Sequence, residues 1–536
     1  MLFTSYSFIA FLIVLFVSYY LVPKQFQWKL LLFFSYLFYF FAGPVYLLYI
    51  ITTTVTIYFF AQKIENLSLS QKAHLDKNKE IFGSAEKKQY KAFIKSRKRR
   101  LLIIALIINI GILAVSKYTN FAIVNFNSLM RTIADLRGLE ESGQLALRNI
   151  IVPLGVSFYT FQAVSYLIDV YRGTVKASRD LFRFALFVSF FPQLIQGPIS
   201  RFGDLSKTLF SPHSFDRQQV SFGLQRILWG FFKKLVIADR LLIGVNEIIR
   251  NPESYGGAFV FVGMLFYAFE LYADFTGGID ITIGVAQVLG IKVTENFRRP
   301  YFSKSIKEYW KRWHITMGAW FTDYVFYPVT VSKPLLRLSK WSRKNLGEAF
   351  GKRVPIYLAS FIVWFTTGLW HGASWNFIVW GLANWVVIMV SEEFEPLYRK
   401  FHRRFDIKEH VLFKALQIVR TVLLMSLIRT FDCYRDVPLT FKMWGSMITE
   451  GNFRILWDGS LLGLGLNTAD YVILFLGLIL LTSVSLKQRR GSVREWVSKK
   501  PYWVKFAFWY GLFLAVIIFG AYGIGYDASQ FIYNQF

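Results

Sequence analysis

The sequence predicts an all-α, polytopic membrane protein of roughly 11–12 transmembrane helices with added re-entrant segments. Three observations predict it. Of 536 residues, 54% are hydrophobic and 19% aromatic, while only 18% are charged. A soluble chain of this length hides its apolar residues in a core and carries more charge outside. The charge is also bunched between long apolar runs. Those runs lack the short alternation of barrel strands, which leaves helices as the backbone that crosses lipid.

Apolar runs lie near 3–22, 28–41, 44–62, 101–124, 150–170, 220–237, 257–274, 354–370, 375–391, 411–428, 469–486 and 506–525. Each is at or near the roughly 20 residues that span a bilayer as a helix. Shorter apolar pieces near 185–197, 277–290 and 314–327 carry Pro, Gly or charge and are expected to be re-entrant or half-spanning. The expected organisation is one membrane domain over 1–536. It has N-terminal helices at 1–124, a catalytic core at 150–400 and C-terminal helices at 411–536.

The opening MLFTSYSFIAFLIVLFVSYYL has no basic stretch before its apolar run, so it reads as a retained span and not a cleaved signal. The net charge of +29 would ordinarily suggest nucleic acid. Here the basic residues sit in loops, where they orient a membrane protein, and nucleic acid is not expected. Segments 63–100, 291–312, 331–353, 392–410 and 487–505 are strongly basic, whereas 125–149, 238–256 and 430–468 are near balance. Alternating them puts both termini outside the cytoplasm. The segment 63–100, ending in Lys95 to Arg100, reads as an amphipathic helix on anionic membrane lipid. The single cysteine, Cys433, excludes an intrachain disulfide and a cysteine-rich metal site.

Ionisable groups within apolar surroundings are costly and are therefore candidates for chemistry. His371 lies between two apolar runs, flanked by Trp370 and Gly372. A neutral imidazole there could take a proton from a hydroxyl, or could simply hydrogen-bond at a helix end. His314 follows Trp310, Lys311, Arg312 and Trp313. It could face a cytoplasmic acyl donor, with Lys311 and Arg312 near the donor's phosphates. The alternative for these bases is snorkelling at an interface. Asp274 and Asp280 flank Gly277 and Gly278, which permit close packing or a helix break; the carboxylates are expected in structural ion pairs. Pro192 and Pro198 break a helix whose Gln193 and Gln196 are expected to satisfy the freed backbone. Walker A, GxSxG and HExxH patterns are missing.

These stretches together resemble the membrane-bound O-acyltransferase superfamily, and within it the bacterial alginate O-acetyltransferase branch. The resemblance runs over nearly the whole chain, through the opening residues, FFPQLIQGPISR, YADFTGGIDITIG, NFRRPYFSKSIKEYWKRWHITMGAWFTDYVFYP, LWHGASWNFIVWGL and the closing FIYNQF. The family's two signature histidines fall on His314 and His371, with His371 in the position usually taken as catalytic. The resemblance implies a helical ring around a thin central wall, with a funnel on each face. It implies acetyl-CoA as the donor. Lys311, Arg312 and Trp313 are the residues expected at the donor, and no metal is expected. It also implies the inner (cytoplasmic) membrane as location. The acetyl group would go to a separate extracytoplasmic esterase-like protein that modifies a cell-surface polysaccharide. The 430–468 loop and the FIYNQF tail are the expected docking elements. The alternatives are D-alanyl transfer to teichoic acid from a charged carrier protein, and a non-enzymatic transporter.

Overall fold

The computed structural model describes residues 5–138, 143–407 and 409–522. The FIYNQF tail lies outside the described residues. The chain divides into two compact units, Ser5–Asp216 with Leu289–Val293, and Arg217–Val288 with the residues from Thr294 onward. The boundary at Asp216 falls inside the expected 150–400 core.

Among the described residues, each of the twelve apolar runs contains a helix. Eight helices among the described residues are long and apolar enough to cross a membrane. The runs at 28–41, 150–170 and 220–237 give helices of 16, 17 and 15 residues, Gln27–Ala42, Val156–Arg172 and Arg217–Phe231. At about 1.5 Å per residue the first two are shorter than a hydrocarbon layer of about 30 Å, whereas the third continues through a π-helical turn at Phe232–Ala238 into Asp239–Arg250. Tyr6–Leu21 is likewise apolar but short.

In the first unit, Tyr46–Lys77 and Ser84–Arg137 are single helices of 32 and 54 residues. They form a hairpin, with His74 against Tyr90 at 4.4 Å between ring centroids and Lys98 Nζ donating to Ser68 at 3.1 Å. The expectation of a separate amphipathic helix over 63–100 is corrected here. Both halves of that segment continue a spanning helix, because Lys, Glu, Gln and Ala propagate a helix once it is nucleated. The 185–197 piece is broken as expected, into Leu181–Ser189 and Phe191–Leu194, with Pro192 in the first turn of the second. Gln193 Nε2 donates to the Pro198 carbonyl and to Ser200. Neither amide atom of the buried Gln196 has a hydrogen-bond partner among the described residues.

The second unit is built around Ala258–Val288. Within its apolar window 67% is buried, against 11–33% in the other candidate spans, so protein and not lipid surrounds it. The expectation of a separate half-spanning piece at 277–290 is overturned, because the helix runs without a break through Gly277 and Gly278. Gly277, like Gly284 further on, serves close packing instead. A Cβ on Gly230 would lie 2.6 Å from the Gly277 carbonyl oxygen, and one on Gly284 would lie 2.8 Å from that of Gly223. Backbone thus meets backbone along Arg217–Phe231, the small-residue contact that membrane helices favour. Gly230→Leu is therefore expected to remove most folded protein, since overpacking costs about 1–3 kcal/mol or more. Gly511→Ala, in an open helical position, should be neutral. The yield of monodisperse detergent-solubilised chain checks both.

The 314–327 piece resolves into two short helical elements, Ile315–Phe321 and a π-helical turn at Thr322–Phe326, running into Tyr327–Thr330. The 430–468 segment is not a plain loop. It holds the helix Val437–Thr449, started by Pro438 in its first turn and by Asp436 accepting from Leu439 N, and then two 3-10 turns.

Candidate active site

The apolar context of His371 places it as the last residue of helix Val354–His371. The turn that follows is short because Trp375–Glu393 begins three residues beyond Gly372. Glycines set the hairpin. A Cβ on Gly368 would lie 2.5 Å from the Phe377 carbonyl oxygen, one on Gly381 2.5 Å from that of Trp364, and one on Gly372 2.2 Å from the Phe377 ring. The His371 ring is thereby pressed against Trp380 at 4.5 Å, Trp370 at 5.0 Å and Phe377 at 6.3 Å between centroids. It is 5% exposed.

His314 is 1% exposed and caps Ile315–Phe321 in a left-handed conformation, φ 47° and ψ 53°. That conformation costs a non-glycine residue about 1 kcal/mol or more, so neighbours must hold it. Asn296 does so. Its carbonyl accepts from Ile315 N at 2.9 Å. Its Oδ1 takes Thr316 N at 3.0 Å, Thr316 Oγ1 at 2.9 Å and His314 Nδ1 at 3.2 Å. A backbone N–H only donates, which fixes that side-chain atom as the oxygen. His314 Nδ1 therefore carries the hydrogen, and Nε2 is the acceptor of the ring. His314 lies outside the spanning helices. Burial, and then the charge of Arg429, push its pKa down to about 3, so the ring is neutral.

The two histidines, far apart in sequence, come together on one indole. Trp370 packs against His314 at 6.0 Å and against His371 at 5.0 Å. Around them Trp310, Trp364 and Trp380 pack mutually at 4.9–6.3 Å. Arg429, 4% exposed, sits over Trp313 at 4.4 Å and pairs with Asp432 at 3.4 Å. An arginine in such surroundings is compensated by ring faces as well as by its carboxylate.

The residues expected at the donor separate. Lys311 is exposed. Arg312 is half-buried, pairs with Glu308 and donates to the Arg299 carbonyl at 3.3 Å. Trp313 is buried, stacked on Tyr309 at 5.6 Å and edge-on to Phe297 at 5.0 Å. Phe297 also faces His314 at 6.4 Å and lines a cavity of about 490 Å³. Arg226, Arg298, Arg299 and Arg494 line it too, together with Asp280, Glu295 and the apolar Trp229, Phe508 and Trp509. Its carboxylates are already engaged. Arg226 binds Asp280 at 2.8 Å and Glu295 at 2.6 Å, and Lys233 binds Asp280 at 2.6 Å. Arg298, Arg299 and Arg494 thus make the cavity net positive. Burial, followed by the charges of Arg312 and Arg489, lowers the pKa of Arg299; burial, followed by Arg226, lowers that of Arg494.

Asp274 and Asp280 are in buried ion pairs, as expected. Lys234 lies 2.7 Å from both Asp274 and Asp239. Sequence reasoning missed Asn296, Arg429 and the arginine cavity. Asn296 stood inside a quoted motif, and Arg429 was visible as a charge at the end of an apolar run.

The profile of the membrane-bound O-acyltransferase family matches residues 175–431, a stretch that holds both histidines, Asn296 and Arg429. A probable alginate O-acetylase AlgI of Pseudomonas syringae pv. tomato is 33% identical over 69% of this chain and 65% of its own length. Another, of Pseudomonas putida, is 31% identical over 71% of each. A peptidoglycan O-acetyltransferase of Helicobacter pylori is 30% identical over 57% of this chain and 58% of its own length. The match to the first two relatives thus spans about two thirds of their length. With this coverage and an all-helical membrane architecture among the described residues, the chain belongs to the membrane-bound O-acyltransferase family, in the branch of the alginate O-acetylases.

Proposed function

We propose that the chain is a transmembrane O-acetyltransferase of the inner membrane, passing acetyl from cytoplasmic acetyl-CoA to an extracytoplasmic acceptor for O-acetylation of a surface polysaccharide. The convergence of His314 and His371 on Trp370 carries this reading. His371 is the base. It takes the proton of an acceptor hydroxyl as the oxygen attacks the thioester carbonyl. The C–S bond breaks, the acyl–oxygen bond forms, and the same proton passes to the leaving thiolate. His314, neutral and clamped by Asn296, positions the thioester between Phe297 and Trp370.

The net positive cavity suits the donor. Arg298, Arg299 and Arg494 match phosphate oxygens, and the aromatic wall suits an apolar stem. Lys311 adds an exposed cation, and Arg312 adds charge beside Arg299. Trp313, sealed under Arg429, holds the His314 segment from behind. The names of the relatives, which speak of alginate and peptidoglycan acetylation, favour a glycan as final acceptor. The acetyl group is passed on by a separate extracytoplasmic esterase-like protein, docked at 430–468. In its Val437–Thr449 helix, Phe441 and Ile448 are exposed.

Purified chain in liposomes, with acetyl-CoA inside and polysaccharide outside, tests the scheme. Acetyl is expected on the polymer only when the second protein is present. Polymer acetylation without it would overturn the relay, and use of a D-alanyl carrier in place of acetyl-CoA would reassign the donor. Arg298→Gln with Arg299→Gln is expected to raise KM for acetyl-CoA about tenfold or more with a smaller change in kcat, since each lost charged hydrogen bond weakens binding about tenfold. Initial rates against donor concentration check this.

A further inference from the structure

The helical hairpin of the first unit carries a groove that the transfer reaction does not use. It has a volume of about 640 Å³ and is lined by Lys63, Asn66, Leu67 and Ser70 on one helix and by Arg97, Arg100, Leu101 and Ile104 on the other. On each helix these positions follow a spacing of three to four residues, so two stripes face one groove. Three of the lining residues are cations and none is a carboxylate. Lys63 rests over Phe59 at 4.6 Å and Arg97 over Phe93 at 5.7 Å. Lys63, Arg97 and Arg100 are exposed.

The chemistry is graded along the hairpin. Arg97, Ser70 and Asn66 form its polar end. Leu101 and Ile104, with Lys63 across the hairpin at the membrane-facing end, lead into the apolar part of Ser84–Arg137, where Ile103 and Ile107 are 42% and 66% exposed. A groove with unneutralised guanidinium groups at one end and aliphatic surface at the other complements one ligand, a phosphate joined to acyl chains. We propose that this groove is a binding site for an anionic glycerophospholipid. The phosphate lies between Arg97 and Arg100, and the acyl chains lie along Leu101 and Ile104.

The test uses the full chain in detergent, offered equal amounts of phosphatidylglycerol and phosphatidylcholine and read by native mass spectrometry. Phosphatidylglycerol is expected to be retained at least about tenfold over phosphatidylcholine. Arg97→Gln with Arg100→Gln should cut that retention about tenfold or more, because each interfacial cation contributes several-fold. Lys88→Gln with Lys91→Gln, exposed and outside the groove, should leave it unchanged. Equal retention of the two lipids overturns the site. So does an equal loss in the Lys88 and Lys91 variant, which would mean diffuse attraction to the basic hairpin. Displacement of the lipid by millimolar glycerol phosphate would reduce it to a site for free phosphate. A lipid-free dimer that depends on Arg97 would give the groove to a second copy.

Discussion

Alanine in place of His371 is expected to abolish acetyl transfer while the protein still inserts and accumulates. A positioned base contributes about 10²–10⁴-fold. His314 is the nearest alternative. Its Nδ1 is committed to Asn296 and its ring lies on the other contact of Trp370. Loss of the side chain does remove packing against Trp380 and Phe377. His371→Gln, close in volume and equally unable to act as a base, separates the two effects. Both variants should have the thermal midpoint of the parent to within a few degrees and no measurable transfer. Near-normal transfer in either one removes His371 from the chemistry, and a collapse of folding in both would make the residue structural.

The second large effect is expected at Lys234. This lysine is 1% exposed and holds two carboxylates, Asp239 and Asp274, each at 2.7 Å. Lys234→Met leaves two buried negative charges facing each other, and breaking a buried pair in this way costs about 3–5 kcal/mol. The variant should fail to accumulate. Adding Asp239→Asn and Asp274→Asn removes both uncompensated charges and should recover most of the folded protein, since a neutral replacement of a buried ionic group is often tolerated. The exposed pair Lys207–Asp204 provides the contrast, because Lys207→Met should change stability by less than about 1 kcal/mol. Thermal unfolding in detergent reads all three. A stable Lys234→Met chain would show that the network is dispensable.

These two sites differ in how far the sequence revealed them. His371 stood out because a lone titratable ring between aromatic residues at a break in an apolar run has few ordinary explanations. Lys234 did not, because it lies inside the apolar run at 220–237. Asp239 comes from the next turn of its own helical stretch, but only the packing of Arg217–Phe231 and the π-helical turn at Phe232–Ala238 against Ala258–Val288 supplies Asp274. Gly277 and Gly278 were equally ambiguous. A glycine pair reads as a hinge or as a contact, and the facing Gly230 decides for contact.

By itself the sequence determined that the chain is helical and membrane-embedded, because run length and the cost of unpaired backbone in lipid admit little else. It also determined the family, through several motifs in order. The tertiary structure alone decided who meets whom. Asn296 clamps His314, and Trp370 joins the histidines. Arginines from three separate stretches around 226, 299 and 494 make one cavity. The 63–100 segment extends two spans as a hairpin. The reason is physical: periodicity records which face of a helix is apolar, but the partner of that face is fixed only when all the helices compete to bury their polar groups together.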